Sequence, residues 1–519
     1  MASAVPPPTG AIDQVGRIET RGVDYIPEAE RHSRPRELAT VFFGTQLCFG
    51  IIVLGFLPVS FGLGWWGSVT STLAGLALGS AMFAPLALLS TRTGTNSAVS
   101  SGAHFGVVGR MVGSLVGIFT AIGFYALTVW TGGQALVEGL HRLVGLPNST
   151  PVFAVAYAVI AGLTLLVAIY GHANVVLANR ILVPTMGVLL LIGVVVLAPM
   201  FTASGPSTEL LLGSYPATWL LSATTAASLP ISYSPYLGDY TRYISARRYR
   251  PARVMLMAGG GMFLGCATAL CFAIYVAMTF PAGVTDWVAG LVEVSPTAFA
   301  AAIVVIALTG SCAQGALCVY GTGLDTSSIF PRLKRVPATL LIGACGTVLV
   351  YIGAFVYNLV AAATAFLIIL LVVTAPWLVI NLLGYLFTGG RYYSQDLQVF
   401  NMQPRISGGA YWFSHGWNVA AMSAWLVATV TGMLFVNTTL YVGPWANAAG
   451  GLDLSFISAA AIGAALYAIL TRLIPRSVVA ADTVSEADDA QRIQSLLTAH
   501  RQPAVAACAD PVLPKVGPA

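Results

Sequence analysis

Charge is what this chain has least of. Asp, Glu, Lys and Arg make up 8% of its 519 residues, where a soluble domain carries about 25% because its surface must hold water. Its length would suit three or four soluble domains, but so little charge cannot solvate them. A wholly disordered chain and a coiled coil are excluded on the same ground. Cysteine is also sparse, with seven in all. Cys48, Cys266, Cys271, Cys312, Cys318 and Cys345 lie inside apolar runs, Cys508 lies in a polar tail, and none forms a CxxC pair. A secreted disulfide scaffold is therefore excluded, and the thiols read as small hydrophobes. No signal peptide is expected, since the first apolar run begins near Leu38 behind a polar, partly acidic segment. No GxxxxGK[ST] phosphate loop occurs. The six histidines are scattered, so no catalytic or metal-ligating cluster is visible. The chain is not expected to be an enzyme, nor to carry a metal or an organic cofactor.

Apolar residues are what it has, at 57%, with a mean hydropathy of +0.82. Most of its surface must face lipid. A bilayer core takes about 20 apolar residues as helix, and such runs fall near 38–62, 66–90, 111–139, 151–170, 181–200, 216–238, 253–279, 297–320, 338–357, 359–387, 417–436 and 453–473. The expectation is an all-α polytopic protein of twelve spans, numbered here 1 to 12 in that order. Only Tyr357 and Asn358 separate spans 9 and 10, but 338–387 is too long for one crossing. With the N-terminus inside, 23 of the 24 Lys and Arg residues fall on the cytoplasmic side, from Arg17 and Arg21 through Arg405 to Lys515, and only Arg142 falls outside. Both termini are thus expected in the cytoplasm, with the protein in the plasma membrane. The net charge of +5 belongs to these loops and implies no nucleic-acid partner; the bilayer is the partner. Residues 1–37 read as a cytoplasmic lead segment, 38–474 as the membrane domain and 475–519 as a disordered cytoplasmic tail, with residues 1–12 also disordered. Nothing in the sequence bears on oligomeric state.

Two spans do not read as ordinary helix. Span 1 contains Gly44, Thr45, Gln46, Leu47, Cys48, Phe49 and Gly50, followed by Gly55 and Pro58. Span 6 runs Pro230, Ile231, Ser232, Tyr233, Ser234, Pro235, Tyr236, Leu237, Gly238, Asp239, and two prolines and a glycine within nine residues interrupt a helix. Broken spans five apart point to a five-plus-five inverted repeat, with a substrate site where the helices unwind. The repeats would cover about 38–200 and 216–387, with peripheral helices at about 417–473. No charged ring or carbonyl-filter motif marks a channel.

Several segments carry a resemblance. They are Glu28, Arg31 and His32 with Arg34–Pro35–Arg36–Glu37–Leu38; Pro230 to Tyr236 with Asp239–Tyr240–Thr241–Arg242–Tyr243; Arg332 to Pro337; and Ala410–Tyr411–Trp412 with Gly416–Trp417–Asn418. In order, over residues 17–475, the chain resembles the purine–cytosine permease branch of the nucleobase:cation symporter-1 family. The resemblance implies the leucine-transporter-type fold, ten helices in two inverted repeats plus two peripheral ones, which the breaks suggest independently.

It also implies a site for a flat heterocycle, with aromatics from spans 3 and 6 and polar groups from spans 1, 3 and 8. Carried over residue by residue, these fall on Phe124 and Thr128, on Tyr233 with Ser232 before it, on Cys48, and on Gln314 and Cys318. Two pairs, Phe124 with Thr128 and Gln314 with Cys318, are four apart and share a helix face. Amides expected near Thr128 and Cys318 are replaced by smaller groups, which favours a larger or less polar ligand than cytosine. The family's cation site would take carbonyls of Gly44 and Leu47 and an oxygen of Thr309, but Cys312 and Ala313 stand where hydroxyls are expected. The span centres hold no titratable group for a proton, so Na⁺ and H⁺ both remain open as coupling ion. Asp239 could pair with Arg34 or Arg36 as an inner gate, or be an interfacial acid beside Arg242. Glu138 reads as pairing with His141 or Arg142, and Asn96 and His104 read as solvated loop residues. Gly384 replaces a family acid near the end of span 10. The function expected is import of a nucleobase or related planar heterocycle (a purine, cytosine, allantoin or a hydantoin) by alternating access with cation symport; the alternative is a same-fold transporter for an amino acid or vitamin.

Overall fold

In lipid a single chain segment can satisfy its own backbone N–H and C=O groups only as helix, and helices make up nearly all of the described chain. The structure, a computed structural model, describes residues 23–170, 172–203, 209–281, 283–330, 332–356, 359–402, 407–438, 441–448, 452–474 and 486–507. Residues 1–12, Arg17, Arg21, Arg405, Lys515 and the Tyr357–Asn358 break lie outside them.

Among the described residues nine helices are long and apolar enough to cross a membrane unaided: Trp65–Thr93, Met111–Val144, Thr150–Tyr170, Val183–Met200, Pro251–Ala277, Thr297–Ile329, Val336–Ala354, Ala362–Thr388 and Ser455–Leu473. They occupy the places of spans 2 to 5, 7 to 10 and 12. Span 1 is the pair Pro35–Gly44 and Phe49–Ser60, bent by 70°. Span 6 is Tyr215–Ser232 followed by Ser234–Thr241, and span 11 is the shorter Val419–Phe435. Each expected position therefore carries a helix, consistent with twelve crossings.

The packing is cross-paired. Span 1 lies on span 7 and span 2 on span 6, while span 3 packs along span 8; spans 10, 11 and 12 contact one another at the side. In a five-plus-five repeat, spans 1 and 6 correspond, as do 2 and 7, so the pairs 1 with 7 and 6 with 2 are the same contact made twice. Both contacts rest on glycines four apart. A Cβ on Gly79 of span 2 would lie 2.6 Å from the Ala227 carbonyl oxygen, and Gly75 meets Ala223 in the same way. In span 7, a Cβ on Gly261 or Gly265 would lie 2.6 Å from the carbonyl oxygen of Ala39 or Phe43. Small residues at this spacing let helix backbones approach where no hydrophobic force separates protein from lipid.

One face of the bundle gathers both described ends. The Ile26 N–H donates to the Gly94 carbonyl at 2.9 Å and the Ser33 N–H to the Tyr243 carbonyl at 3.0 Å. Gln398 donates to the Val23 carbonyl at 3.0 Å. Residues 23–34 of the lead segment thus form a packed belt, with Arg31 buried and donating to the Ile26 and Thr91 carbonyls. The tail differs from expectation: residues 486–507 of the segment read as disordered form a helix. Polar pairing explains it, because Asp489 and Arg492 find partners in the connection between spans 10 and 11.

Candidate substrate site

The first half of span 1 ends at Gly44, and Thr45 to Cys48 leave the helix. Thr45 returns its hydroxyl to the Val41 carbonyl at 2.9 Å, and Cys48 is extended at φ −131°, ψ 157° before the second half begins. Gly50 and Gly55, expected to weaken the helix, instead permit close approach. A Cβ on Gly50 would lie 2.8 Å from the Thr128 Cα and 2.7 Å from its hydroxyl. In span 6 the interruption falls on Tyr233 alone, with Pro230 three residues before it and Pro235 in the first turn of the next helix. Proline supplies no N–H and its ring crowds the carbonyl four residues earlier, so the ladder cannot run through this point.

These breaks bring the expected substrate residues together. Cys48, Phe124, Thr128, Ser232, Tyr233, Gln314 and Cys318 are all fully buried. The Phe124 and Tyr233 rings are 4.9 Å apart at 38°. They touch each other, whereas rings holding a flat ligand between them stand about 7 Å apart, two stacking distances. A ligand must therefore part this pair or stack on one ring. Gln314 donates from Nε2 to the Tyr233 hydroxyl, and Cys318 lies 3.7 Å from the same nitrogen. The Cys48 thiol lies beside the Thr128 hydroxyl. Ser232 is turned back on its own helix, donating to the Leu229 carbonyl at 2.8 Å. It is near the site but its hydroxyl is already used.

Two groups that sequence reasoning missed, Phe366 and Tyr236, join the cluster, and a third, Gln46, lies in the unwound stretch beside Cys48. Phe366 of span 10 meets Phe124 edge-on at 5.4 Å. Gln46 sits in the unwound stretch, fully buried, with its Oε1 accepting no hydrogen bond. Tyr236 donates its hydroxyl to the Gly117 carbonyl of span 3. Gln46 was legible as the only side-chain amide of span 1. The Gln314 Oε1 is likewise buried without a partner, so within the cluster it is an acceptor still open to a donor.

Of the expected cation residues, the side chains of span 8 do not face the Leu47 carbonyl. Leu47 faces span 8 at Gly310, whose Cβ would lie 2.8 Å from the Leu47 carbonyl oxygen. Thr309, one residue back, is turned about 100° away and bonds its hydroxyl to the Val305 carbonyl at 2.7 Å on a partly exposed face. Cys312 is only half-buried, and the Gly44 carbonyl accepts from the Leu47 N–H at 3.1 Å. Gly310 owns this face because the backbones meet there.

The expected gate pair does not form either. Asp239 is buried and Arg36 exposed, and no ion pair joins Asp239 to Arg34 or Arg36 among the described residues. Asp239 instead lies near Asp325 of span 8, below Tyr236. Arg242 is fully buried, donating to the Tyr243 and Tyr320 hydroxyls at 3.3 and 3.4 Å. Asn96 and His104 are buried rather than solvated. Asn96 caps the helix Ser97–Phe105, and His104 meets the Tyr392 hydroxyl at 3.2 Å, its imidazole pushed down to about 3 by burial. Gly384 backs directly onto that imidazole, leaving no room for the acid expected there. Glu138 accepts from Asn148 at 2.9 Å instead of pairing with a neighbouring cation.

A family described as permeases for cytosine/purines, uracil, thiamine and allantoin matches residues 25–457. YxlA of Bacillus subtilis strain 168, which carries the name of a purine-cytosine permease, is 25% identical over 469 residues, 88% of this chain and 96% of its own. Mhp1, a nucleobase-cation-symport-1 family transporter solved in a closed conformation with bromovinylhydantoin bound, superposes with a TM-score of 0.68 at 16% identity, covering 92% of this chain and 98% of that one. A Na⁺-coupled sialic acid symporter shares the fold more distantly, with a TM-score of 0.52 at 14% identity over 85% of this chain and 90% of that one.

Proposed function

Because the chain belongs to the family of permeases for cytosine/purines, uracil, thiamine and allantoin, we propose that it imports a neutral planar heterocycle of the nucleobase or hydantoin type across the plasma membrane, with both termini in the cytoplasm. The observation that carries this reading is the buried contact of Phe124 with Tyr233, whose hydroxyl Gln314 engages while keeping its own Oε1 open. Aromatic faces take the plane of such a ligand and the amide oxygen takes an N–H at its edge. An aliphatic amino acid would use neither ring. Thr128 and Cys318 in place of amides leave fewer hydrogen bonds for a small, polar base such as cytosine.

Transport is coupled to a cation in this reading. The Leu47 carbonyl, which accepts no hydrogen bond among the described residues, is a neutral oxygen of the kind Na⁺ takes, while Asp239 and Asp325 are acids on the termini-bearing side that suit a proton. The test is thermal stabilisation of purified protein by a panel of heterocycles, with and without Na⁺ and at two pH values. A ligand that binds only the folded state raises the midpoint by mass action. A shift with one nucleobase or hydantoin is expected, and its Na⁺ or pH dependence names the ion. A shift only with an amino acid or amine overturns the substrate class and leaves the fold intact.

A further inference from the structure

The helix Glu486–Ala507 packs on the connection between spans 10 and 11. Asp489 accepts from the Gln395 N–H at 2.9 Å. Arg492 pairs with Asp396 at 3.1 Å and lies over the Tyr393 ring at 4.5 Å. Ile493 is buried, and Leu496 and Leu497 pack behind it. Asp396 is fully buried and also holds the Ala410 N–H at 2.6 Å, so Arg492 is its cation and the same carboxylate organises the connection.

That connection ties together parts that alternating access must separate. Its Leu397 carbonyl and Asn401 side chain take the buried Arg110 at the foot of span 3, at 3.4 and 2.6 Å. Its Tyr411 carbonyl accepts from Val107 at 3.2 Å. Gln398, from the same stretch, holds the Val23 carbonyl of the lead segment, which continues into span 1 and is bonded to the end of span 6 through Ser33 and Tyr243. The connection thus bridges the foot of span 3 to the belt bonded to spans 1 and 6.

We propose that the C-terminal helix is a strap that grips this connection and holds the termini-bearing face shut, so that its release speeds opening of the substrate site to that side. This rests on the alternating-access reading above but not on the identity of the substrate. A grip made of two carboxylates, one guanidinium and a few apolar side chains suits reversible docking, since polar interfaces of this kind open locally at low cost.

The strap is also sensitive to pH. Burial pushes the Asp489 carboxyl up to about 6; the Gln395 and Ser394 N–H groups and Arg492 pull it down, and Asp396 pushes it up. Tyr411 also faces it, Tyr393 lies under Arg492, and Asp488 is its neighbour on the helix. The docked value lies above that of a free aspartate, so docking takes up a proton. The grip therefore tightens as pH falls through about 6, and above that value the gain is gone and docking no longer varies with pH through this group.

The experiment follows labelling of Cys318, buried in the substrate site, by a membrane-impermeant thiol reagent added to inverted vesicles. Peptide mass spectrometry gives the rate, and amide exchange over residues 488–498 reports whether the strap is docked. Full-length protein carrying Arg492→Glu and Ile493→Asp is expected to show exchange released and Cys318 labelled at least threefold faster. Arg492→Lys should stay near the parent. Between pH 7.5 and 5.5, labelling of the parent should slow more than that of Asp489→Asn, which serves as the reference for thiol reactivity. Release of the helix with no change in labelling overturns the proposal. So does failure of the double variant to release it, because the grip is assigned to those side chains. Labelling needs no substrate, so these outcomes are separate from failure of the ligand panel.

Discussion

The break in span 1 takes four residues, 45–48, out of the helix and turns the chain by 70°, whereas the break in span 6 falls on Tyr233, which keeps the near-helical angles φ −80° and ψ −2°. The two positions correspond in the inverted repeat, yet they contribute different things. Span 1 gives up backbone: the Leu47 carbonyl faces Gly310, and Gly50 lies against the Thr128 main chain. Span 6 gives up a side chain, aiming one tyrosine at Phe124 and Gln314 while losing little helix. Glycine serves the first purpose because it lets another backbone approach, and proline serves the second because it stops the hydrogen-bond ladder without uncoiling it. A symmetric fold has been fitted asymmetrically, with main-chain oxygen on one side of the site and an aromatic platform on the other.

If span 6 acts through its side chain, the largest effect should come from that side chain. Tyr233→Ala removes the ring facing Phe124 and is expected to weaken ligand binding by roughly a hundredfold, about 3 kcal/mol. Tyr233→Phe keeps the ring but strands the Gln314 amide, and should fall between the two at about 1–3 kcal/mol. Calorimetric titration of purified variants with the best ligand of the panel measures both. Equal affinity for parent and Tyr233→Ala would remove the platform from the site.

If span 1 acts through its backbone, a side chain added there should damage packing before it damages recognition. Gly50→Ala places a methyl 2.8 Å from the Thr128 Cα, an atom that cannot swing aside. Overpacking of this kind costs about 1–3 kcal/mol, so the unfolding midpoint should drop with or without ligand. Thr128→Ala should not rescue it, since the main chain is what the methyl meets. A Gly50→Ala protein of parental stability that had lost only its ligand would place side-chain recognition in span 1 as well.

The same contrast explains what could be seen in the sequence. The spans were legible because lipid demands long apolar runs, and most of the helices start and stop within about five residues of them, span 8 running on to Ile329. Tyr233, Phe124, Gln314, Cys48, Cys318 and Thr128 were legible through the family resemblance and the helix-face spacing, and the structure buries them together. For the cation residues the sequence was less legible, because the surface of span 8 that faces span 1 is set by where two backbones meet, at Gly310, and the side chains of Thr309 and Cys312 do not report that. The Asp239–Arg36 gate went astray because charge pairing at a membrane edge depends on burial, which sequence proximity to a span does not reveal. The C-terminal helix was missed because its composition is polar, and its order comes from partners about 90 residues earlier in the chain.

The smallest expected effect tests whether the proline in span 6 does more than permit the break. Pro235 stands in the first turn of Ser234–Thr241, where a missing N–H costs nothing because that group has no partner within its own helix. Replacing it by alanine restores an N–H that can reach back to the Ile231 carbonyl, and so favours continuous helix through Tyr233. Stability should change by less than about 1 kcal/mol. The cost should appear instead in the aim of the tyrosine, lowering affinity about threefold, or roughly 0.6 kcal/mol, with Tyr233→Ala already at the floor and unaffected by the second change. That non-additivity is the measurement to make, because two changes acting through one side chain cannot both be felt once the side chain is gone. Additive losses would mean that the proline shapes the backbone of the site directly, making span 6 more like span 1 than the angles at Tyr233 suggest.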